Sequence, residues 1–267
     1  MGLSLSEIRA QLREVHEEDE LRRWCGVLRS DSRSGARVLL ESCERRLEAI
    51  RAEALRMERL FAMRARLVED GAETIAGVDE VGVGPLAGPV VAAAVVLPRQ
   101  VVLPGLNDSK QLTQKARERL DAAIRGQALG WAVAAASPAE IDRMNIYRAS
   151  LLAMQRAVHK LSERLVPDHV LVDARTIPGI KMAQTALPHG DAEDGSIAAA
   201  SIVAKVHRDA WMRQLDREHP GYGFARHMGY GTPIHLRALE QLGPSPIHRR
   251  SFSPVAQAVA RELRRGR

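Results

Sequence analysis

Cysteine is almost missing from this chain: only Cys25 and Cys43 occur in 267 residues. They show neither CxxC spacing nor a nearby histidine pair, which argues against a disulfide framework or a zinc site and for reduced thiols in a cytoplasmic protein. Aromatics are scarce too, at 3%, so the core must be built mainly from Ala, Val, Leu and Ile, which the 45% hydrophobic content supplies. No apolar run approaches the roughly 18 residues that span a bilayer. Met1 to Ser6 carry no charged n-region and no apolar h-region, so secretion is not indicated. They match a loose myristoylation pattern, but Ser4-Leu5-Ser6-Glu7 also reads as a helix-capping box. No internal repeat or low-complexity tract is present. Among the histidines, His159, His169, His189 and His207 lack metal-ligand spacing.

The charge balance is positive, +6 overall, which suits a polyanionic partner. Residues 1 to about 70 hold Arg, Glu and Leu in quantity and no proline. Leu40, Cys43, Leu47, Ile50 and Leu55 recur at helical spacing, and Asp31 to Gly35 reads as a break between two short helices and one long helix over 36–69. This segment is a helical appendage, or alternatively an arginine-rich arm that grips nucleic acid. From Glu73 the pattern changes to strands over 74–79, 89–97, 129–136 and 168–173, with a weaker one at 181–187. Helices are expected over 113–125, from the Ser137-Pro138-Ala139-Glu140 capping box, over 145–164, over 194–218 and from Thr232-Pro233. A hairpin followed by strands alternating with helices predicts a mixed α/β sheet.

The chemistry concentrates in Thr74 to Pro89. An apolar strand ends in the adjacent carboxylates Asp79 and Glu80, and a glycine-rich turn, Gly82-Val83-Gly84 to Gly88, follows at once. The glycine spacing is wrong for a dinucleotide fingerprint, and a β-rich run rather than a helix comes next. Close backbone approach, with amide N–H groups reaching a ribose or phosphate oxygen, is the better use of these glycines. Asp173 ends a later strand, and Asp191 sits at a helix entrance in Pro188-His189-Gly190-Asp191-Ala192. Each alone reads as a turn or cap residue. Together, at neighbouring strand ends of one sheet, four carboxylates repel unless cations lie between them, and oxygen-only ligands favour Mg²⁺ or Mn²⁺. Two such ions about 3.5–4 Å apart activate water and stabilise a leaving oxygen in phosphoryl displacement.

These residues carry a family resemblance. Ala76-Gly77-Val78-Asp79-Glu80-Val81-Gly82, Gly84 to Gly88, Leu106-Asn107-Asp108-Ser109-Lys110, Glu140-Ile141-Asp142 with Asn145-Ile146, and Leu171-Val172-Asp173 match in order. Gly190-Asp191, Ser196 to Val206 with Arg208-Asp209, Gly221 to Phe224, His227 with Gly229-Tyr230, and His248 to Phe252 continue the match. From about Ile75 to Val255 the chain resembles the bacterial ribonucleases HII, the type 2 ribonucleases H. Its helical N-terminal segment is similar to the extension of longer members. The resemblance implies an RNase H-like mixed sheet flanked by helices, and metal-dependent cleavage of RNA in RNA–DNA hybrids. It also implies cleavage 5′ of ribonucleotides embedded in duplex DNA, leaving a 3′-hydroxyl and a 5′-phosphate. It assigns the metal ligands to Asp79, Glu80, Asp173 and Asp191, and 2′-hydroxyl reading to the backbone of Gly82, Val83 and Gly84. Junction sensing falls to Tyr230, and positions near the phosphates to Ser109 and Lys110.

Two departures reduce positive charge beside the substrate. Val83 stands where the family turn usually carries arginine, and Met228 where lysine is common. The chemistry is expected to be intact, with weaker substrate grip or an altered junction preference; the alternatives are a hybrid-binding protein that cuts poorly or not at all, and a metal-dependent phosphatase of small molecules. His248-Arg249-Arg250 is read either as a phosphate contact or as a packing element. The expected domains are a helical extension over 1–72, a catalytic domain over 73–262 and a frayed basic tail over 263–267. No oligomer signal is present, so a monomer is expected.

Overall fold

A computed structural model of the chain describes residues 3–265. It forms two compact units that divide between Arg59 and Leu60. The first holds α1 (Leu5–Glu14), α2 (Glu18–Arg29) and most of α3 (Ser34–Leu60). The Ser4 hydroxyl accepts from the Glu7 N–H while the Glu7 carboxylate accepts from the Ser4 N–H, closing the expected capping box. Ile8, Leu12, Leu21, Leu28, Leu39 and Leu47 form its core together with both cysteines. Burial pushes the Cys43 thiol up to about 12, so it stays protonated. Up to Arg59, twelve arginines balance twelve carboxylates, so the positive excess of the chain lies wholly in the second unit.

The second unit begins with α4 (Ala62–Glu69), which the periodicity had run together with α3. The long helix breaks at Phe61, whose ring lies where a Cβ on Gly195 would sit, 2.4 Å from its Cζ. Five strands follow: β1 (Ile75–Val81), β2 (Val90–Val96), β3 (Gly130–Ala136), β4 (His169–Asp173) and β5 (Ala183–Leu187). Their order is β3-β2-β1-β4-β5. β1 pairs antiparallel with β2 and parallel with β4, and β5 pairs parallel with β4, which makes the sheet mixed as expected.

Helices cover both faces, so β2 reads Val-Val-Ala-Ala-Ala-Val-Val and every one of its residues is buried. On one face α7 (Ile146–Ser162) lays Ala149, Ala153 and Ala157 against Ala76, Val78 and Ala92. These small side chains replace the bulky aromatics that the chain lacks. On the other face lies α9 (Gly195–Glu218), where a Cβ on Gly77 would fall 2.0 Å from the Ser196 carbonyl carbon, so only glycine admits the helix there. Met63, Leu67 and Val68 of α4 pack beside it on Ile75, Leu171 and Ile197. That packing groups α4 with the sheet, in the second compact unit. The remaining helices are α5 (Gln114–Gln127), α6 (Pro138–Met144), α8 (Gly190–Glu193), α10 (Phe224–His227), α11 (Pro233–Leu242) and α12 (Ser253–Arg265). α12 runs through 263–265, the described part of the expected tail, and further back its Val255 and Ala258 bury against Leu86 and Leu239. The last two residues lie outside the described part. Among the described residues no helix is long and apolar enough to cross a membrane.

Candidate active site

β1 and β4 run parallel and pair with Val78 opposite Val172, so Asp79 and Asp173 stand level at the same end of the sheet. Alternation along a strand puts both on the face that carries Ile75 and Leu171, while Glu80 starts from the opposite face. The strand runs on to Val81, so Asp79 does not end it, as its sequence context suggested. Even so, one oxygen from each of Asp79, Glu80 and Asp173 lies within 4.8 Å of the others. Burial, then Glu80 and Asp173, holds the Asp79 carboxyl well above the usual carboxylate range. Burial chiefly, with Asp173 adding, raises Glu80, and burial followed by Asp191 raises Asp173. Glu80 Oε2 is buried without a hydrogen-bond partner. An oxygen-only cluster with an orphaned carboxylate oxygen is what a hard divalent cation fits.

Asp191, the fourth predicted ligand, opens α8 beside the cluster, but its Oδ2 accepts from Lys110 Nζ at 2.8 Å. Its neighbour Gly190 donates its N–H to Asp173 Oδ1 at 2.7 Å, so α8 and β4 are tied at the site. Lys110 therefore faces the carboxylates, with three quarters of its side chain exposed. Ser109 does not join it on the open side. It is buried, and its hydroxyl shares a 2.9 Å hydrogen bond with that of Ser201, a residue that favours the charged form of Asp79 against the burial that raises it. Its place is behind the cluster rather than against phosphate.

The turn after β1 is held from inside by two fully buried arginines. Arg249 donates to the carbonyls of Gly82 at 2.6 Å, Val83 at 2.8 Å and Gly88 at 3.0 Å. Arg208 donates to those of Pro89 at 3.0 Å and Met228 at 3.0 Å. No cis peptide occurs among the described residues, and in a trans peptide the carbonyl and the next N–H point opposite ways. Anchoring the Gly82 and Val83 carbonyls on Arg249 therefore turns the Val83 and Gly84 N–H groups away from the interior. Neither donates to any acceptor among the described residues. Gly82 has φ +89, and a Cβ there would meet Arg208 Nε at 2.1 Å. The Val83 side chain is partly exposed, whereas Arg249 is no phosphate contact.

Tyr230 closes the other side of the turn. Its Cε1 lies 3.7 Å from where a Gly84 Cβ would stand, and its ring is partly exposed. The Gly229 carbonyl accepts from the Leu86 N–H at 2.8 Å, and a chain of buried histidines supports the loop from below. His248 Nδ1 accepts from the Ser245 N–H, so its Nε2 donates to His235 Nε2 at 3.0 Å, and His235 Nδ1 donates to the Tyr230 carbonyl at 2.9 Å. Burial first, then His235, pushes His248 down to about 3, which keeps that chain neutral. Sequence reasoning missed the roles of Arg208 and His235, and left His248 and Arg249 between phosphate contact and packing, of which the structure shows packing. It also missed Arg175, whose Nη1 lies 4.0 Å from Glu80 Oε1.

Known proteins resemble the chain in sequence and in fold. The family profile described as Ribonuclease HII matches residues 76–255, and that of the Ribonuclease HII N-terminal domain matches residues 4–63. A protein of Geobacillus thermodenitrificans named Ribonuclease HII is 50% identical over 256 residues, covering 96% of this chain and 97% of that one. One of Myxococcus xanthus with the same name is 53% identical over 234 residues, 87% of this chain and 79% of that one. The crystal structure of ribonuclease H2 from Pyrococcus horikoshii superposes with a TM-score of 0.59 at 28% identity, covering 70% of this chain and 98% of the other.

Proposed function

The chain belongs to the ribonuclease HII family, and from that premise we propose how its own residues do the work. It is a type 2 ribonuclease H, an endoribonuclease of a family that acts on RNA–DNA hybrids. The observation that carries the mechanism is the meeting of Asp79, Glu80 and Asp173 oxygens within 4.8 Å. These residues, with Asp191 once Lys110 yields it, would hold Mg²⁺ or Mn²⁺, two ions when substrate is present. Bound there, such ions supply charge neutralisation, activation of the attacking water and stabilisation of the leaving oxygen.

The rest of the work falls to the protein. The Val83 and Gly84 N–H groups, set facing outward by Arg249, receive the ribose 2′-hydroxyl, the group that separates RNA from DNA at a site. Tyr230 stacks beside the turn on the neighbouring sugar or base. Lys110, on the cluster's open side, holds a phosphate by charge. The product set is a 3′-hydroxyl and a 5′-phosphate, with the cut 5′ of the ribonucleotide, and no protein nucleophile takes part. The intact carboxylate cluster favours cutting over sensing alone, and main-chain ribose reading survives the valine at position 83. A duplex with a single embedded ribonucleotide, labelled at one end and incubated with Mg²⁺, Mn²⁺ or chelator, tests this reading. Cleavage 5′ of the ribonucleotide only with a divalent cation supports it, and turnover of mononucleotides with indifference to the duplex contradicts it.

A further inference from the structure

Arg175 lies two residues beyond Asp173, in the turn that leaves β4. Ala174 takes a left-handed φ of 55°, a conformation that is uncommon for a residue with a Cβ and that collects at functional sites. Its N–H donates to the Leu187 carbonyl at 2.8 Å, and the Arg175 N–H donates to the Asp173 carbonyl at 2.7 Å. The Arg175 backbone is therefore fixed. Its guanidinium carbon stands 4.8 Å from the centroid of the exposed Tyr147 ring, so one face of the fork is supported. Its Nη1 is 4.0 Å from Glu80 Oε1, beyond hydrogen-bond reach, and 39% of the side chain is exposed.

The contrast with the other arginines is informative. Arg208 and Arg249 spend their forks on carbonyls, and Arg156 and Arg125 spend theirs on Glu140 and Asp121. Among the described residues the Arg175 guanidinium donates no hydrogen bond, although it is oriented by an aromatic ring at the mouth of the carboxylate cluster. With a cation held by that cluster, Glu80 would no longer need the guanidinium for neutralisation, and the guanidinium would be repelled. The nearest compensation is the anionic backbone of the substrate. A planar fork with unspent donors and a stacked face is suited to phosphate.

We propose that Arg175 is a substrate-binding residue that grips a phosphodiester oxygen of the duplex beside the scissile linkage. This rests on the endoribonuclease reading above. It places next to the metal ligands a guanidinium that the Gly82-Val83-Gly84 turn lacks.

The test uses the full chain with Arg175→Ala and Arg175→Lys. Two labelled duplexes of one sequence, with and without an embedded ribonucleotide, are titrated in Ca²⁺ and in chelator over a salt series, with cleavage in Mg²⁺ measured alongside. Arg175→Ala is expected to raise Kd about tenfold for both duplexes, and to make the slope of log K against log salt shallower by about one, the signature of one lost phosphate contact. Arg175→Lys keeps the slope and recovers part of the affinity. Thermal melting controls for folding. Unchanged duplex affinity and slope in Arg175→Ala would overturn the proposal, as would a change confined to Mg²⁺ affinity in calorimetry, which would make Arg175 a partner of Glu80 alone. Failure of the wild-type chain to cut shows up separately, and removes the endoribonuclease reading together with this one.

Discussion

Arg249 Nη2 donates to the Gly82 carbonyl at 2.6 Å, joining residues 167 positions apart in the chain. A buried guanidinium thus sets the orientation of the peptide that reads the substrate sugar. Among the described residues no carboxylate forms an ion pair with it; carbonyl dipoles and the Phe252 ring, 5.2 Å away, hold it, and burial followed by the nearby Arg208 cation lowers its pKa. Arg249→Lys keeps the charge but cannot reach three carbonyls at once. It is expected to cost about 3 kcal/mol in urea unfolding, since buried carbonyls lose charge-assisted bonds. The preference for ribonucleotide-containing over all-DNA duplex should fall with it, measured as the ratio of Kd values.

Gly82→Ala offers a second probe of the same turn. Its φ of +89 and the 2.1 Å approach of a Cβ to Arg208 Nε both oppose a side chain. A loss of about 2 kcal/mol is expected from the left-handed conformation and the displaced arginine, read by chemical denaturation.

The pH dependence follows from the raised carboxyls. Asp79, Glu80 and Asp173 all hold their protons to higher pH in the folded chain than when unfolded. The metal-free protein therefore loses stability as pH rises from the ordinary carboxylate range through those raised values. Divalent cations need the deprotonated groups, so the rise in Tm on adding Mg²⁺ or Mn²⁺ should grow over the same window. Asp79→Asn should raise Tm in chelator by a few degrees, about 1 kcal/mol at this size, and abolish the metal-dependent rise. Calorimetric scans at several pH values check both signs.

Val83→Arg restores a guanidinium on an exposed position of the turn without touching the buried bonds of its carbonyl. Kd for a ribonucleotide-containing duplex should drop about tenfold and the salt slope steepen by about one. Unchanged affinity would show that phosphate does not pass that side of the turn.

Much of this site was legible in the sequence, and the reasons for the rest are physical. Asp79 and Glu80 after an apolar run, with glycines next, announce a strand end that carries charge. Parallel pairing of β1 with β4 then brings Asp173 level with Asp79, a consequence of register that spacing alone does not show. Arg208 was hidden, and Arg249 left undecided between phosphate and packing, because a buried arginine satisfied by carbonyls leaves no pairing acid in the sequence. Ser109 belonged to a matching motif, but its hydroxyl turned inward to Ser201. The break at Phe61 depends on a glycine 134 positions later, and helical periodicity carries no trace of it. α12 was not foreseen as a helix because its apolar side is narrow, with Val255 and Ala258 its buried residues, and only its end at 263–265 fell in the expected tail.

The central claim is that acidic side chains from two parallel strands work as one metal site on a ribonucleotide linkage. Its most direct test compares the wild-type chain with Asp173→Asn on an end-labelled duplex carrying one ribonucleotide, in Mg²⁺, in Mn²⁺ and in chelator. The expected result is a single cut 5′ of the ribonucleotide in the wild type with either ion and none in chelator, and a rate at least about a hundredfold lower in Asp173→Asn despite retained duplex binding. Cleavage that persists in chelator, or an Asp173→Asn chain that cuts at the wild-type rate, would contradict it.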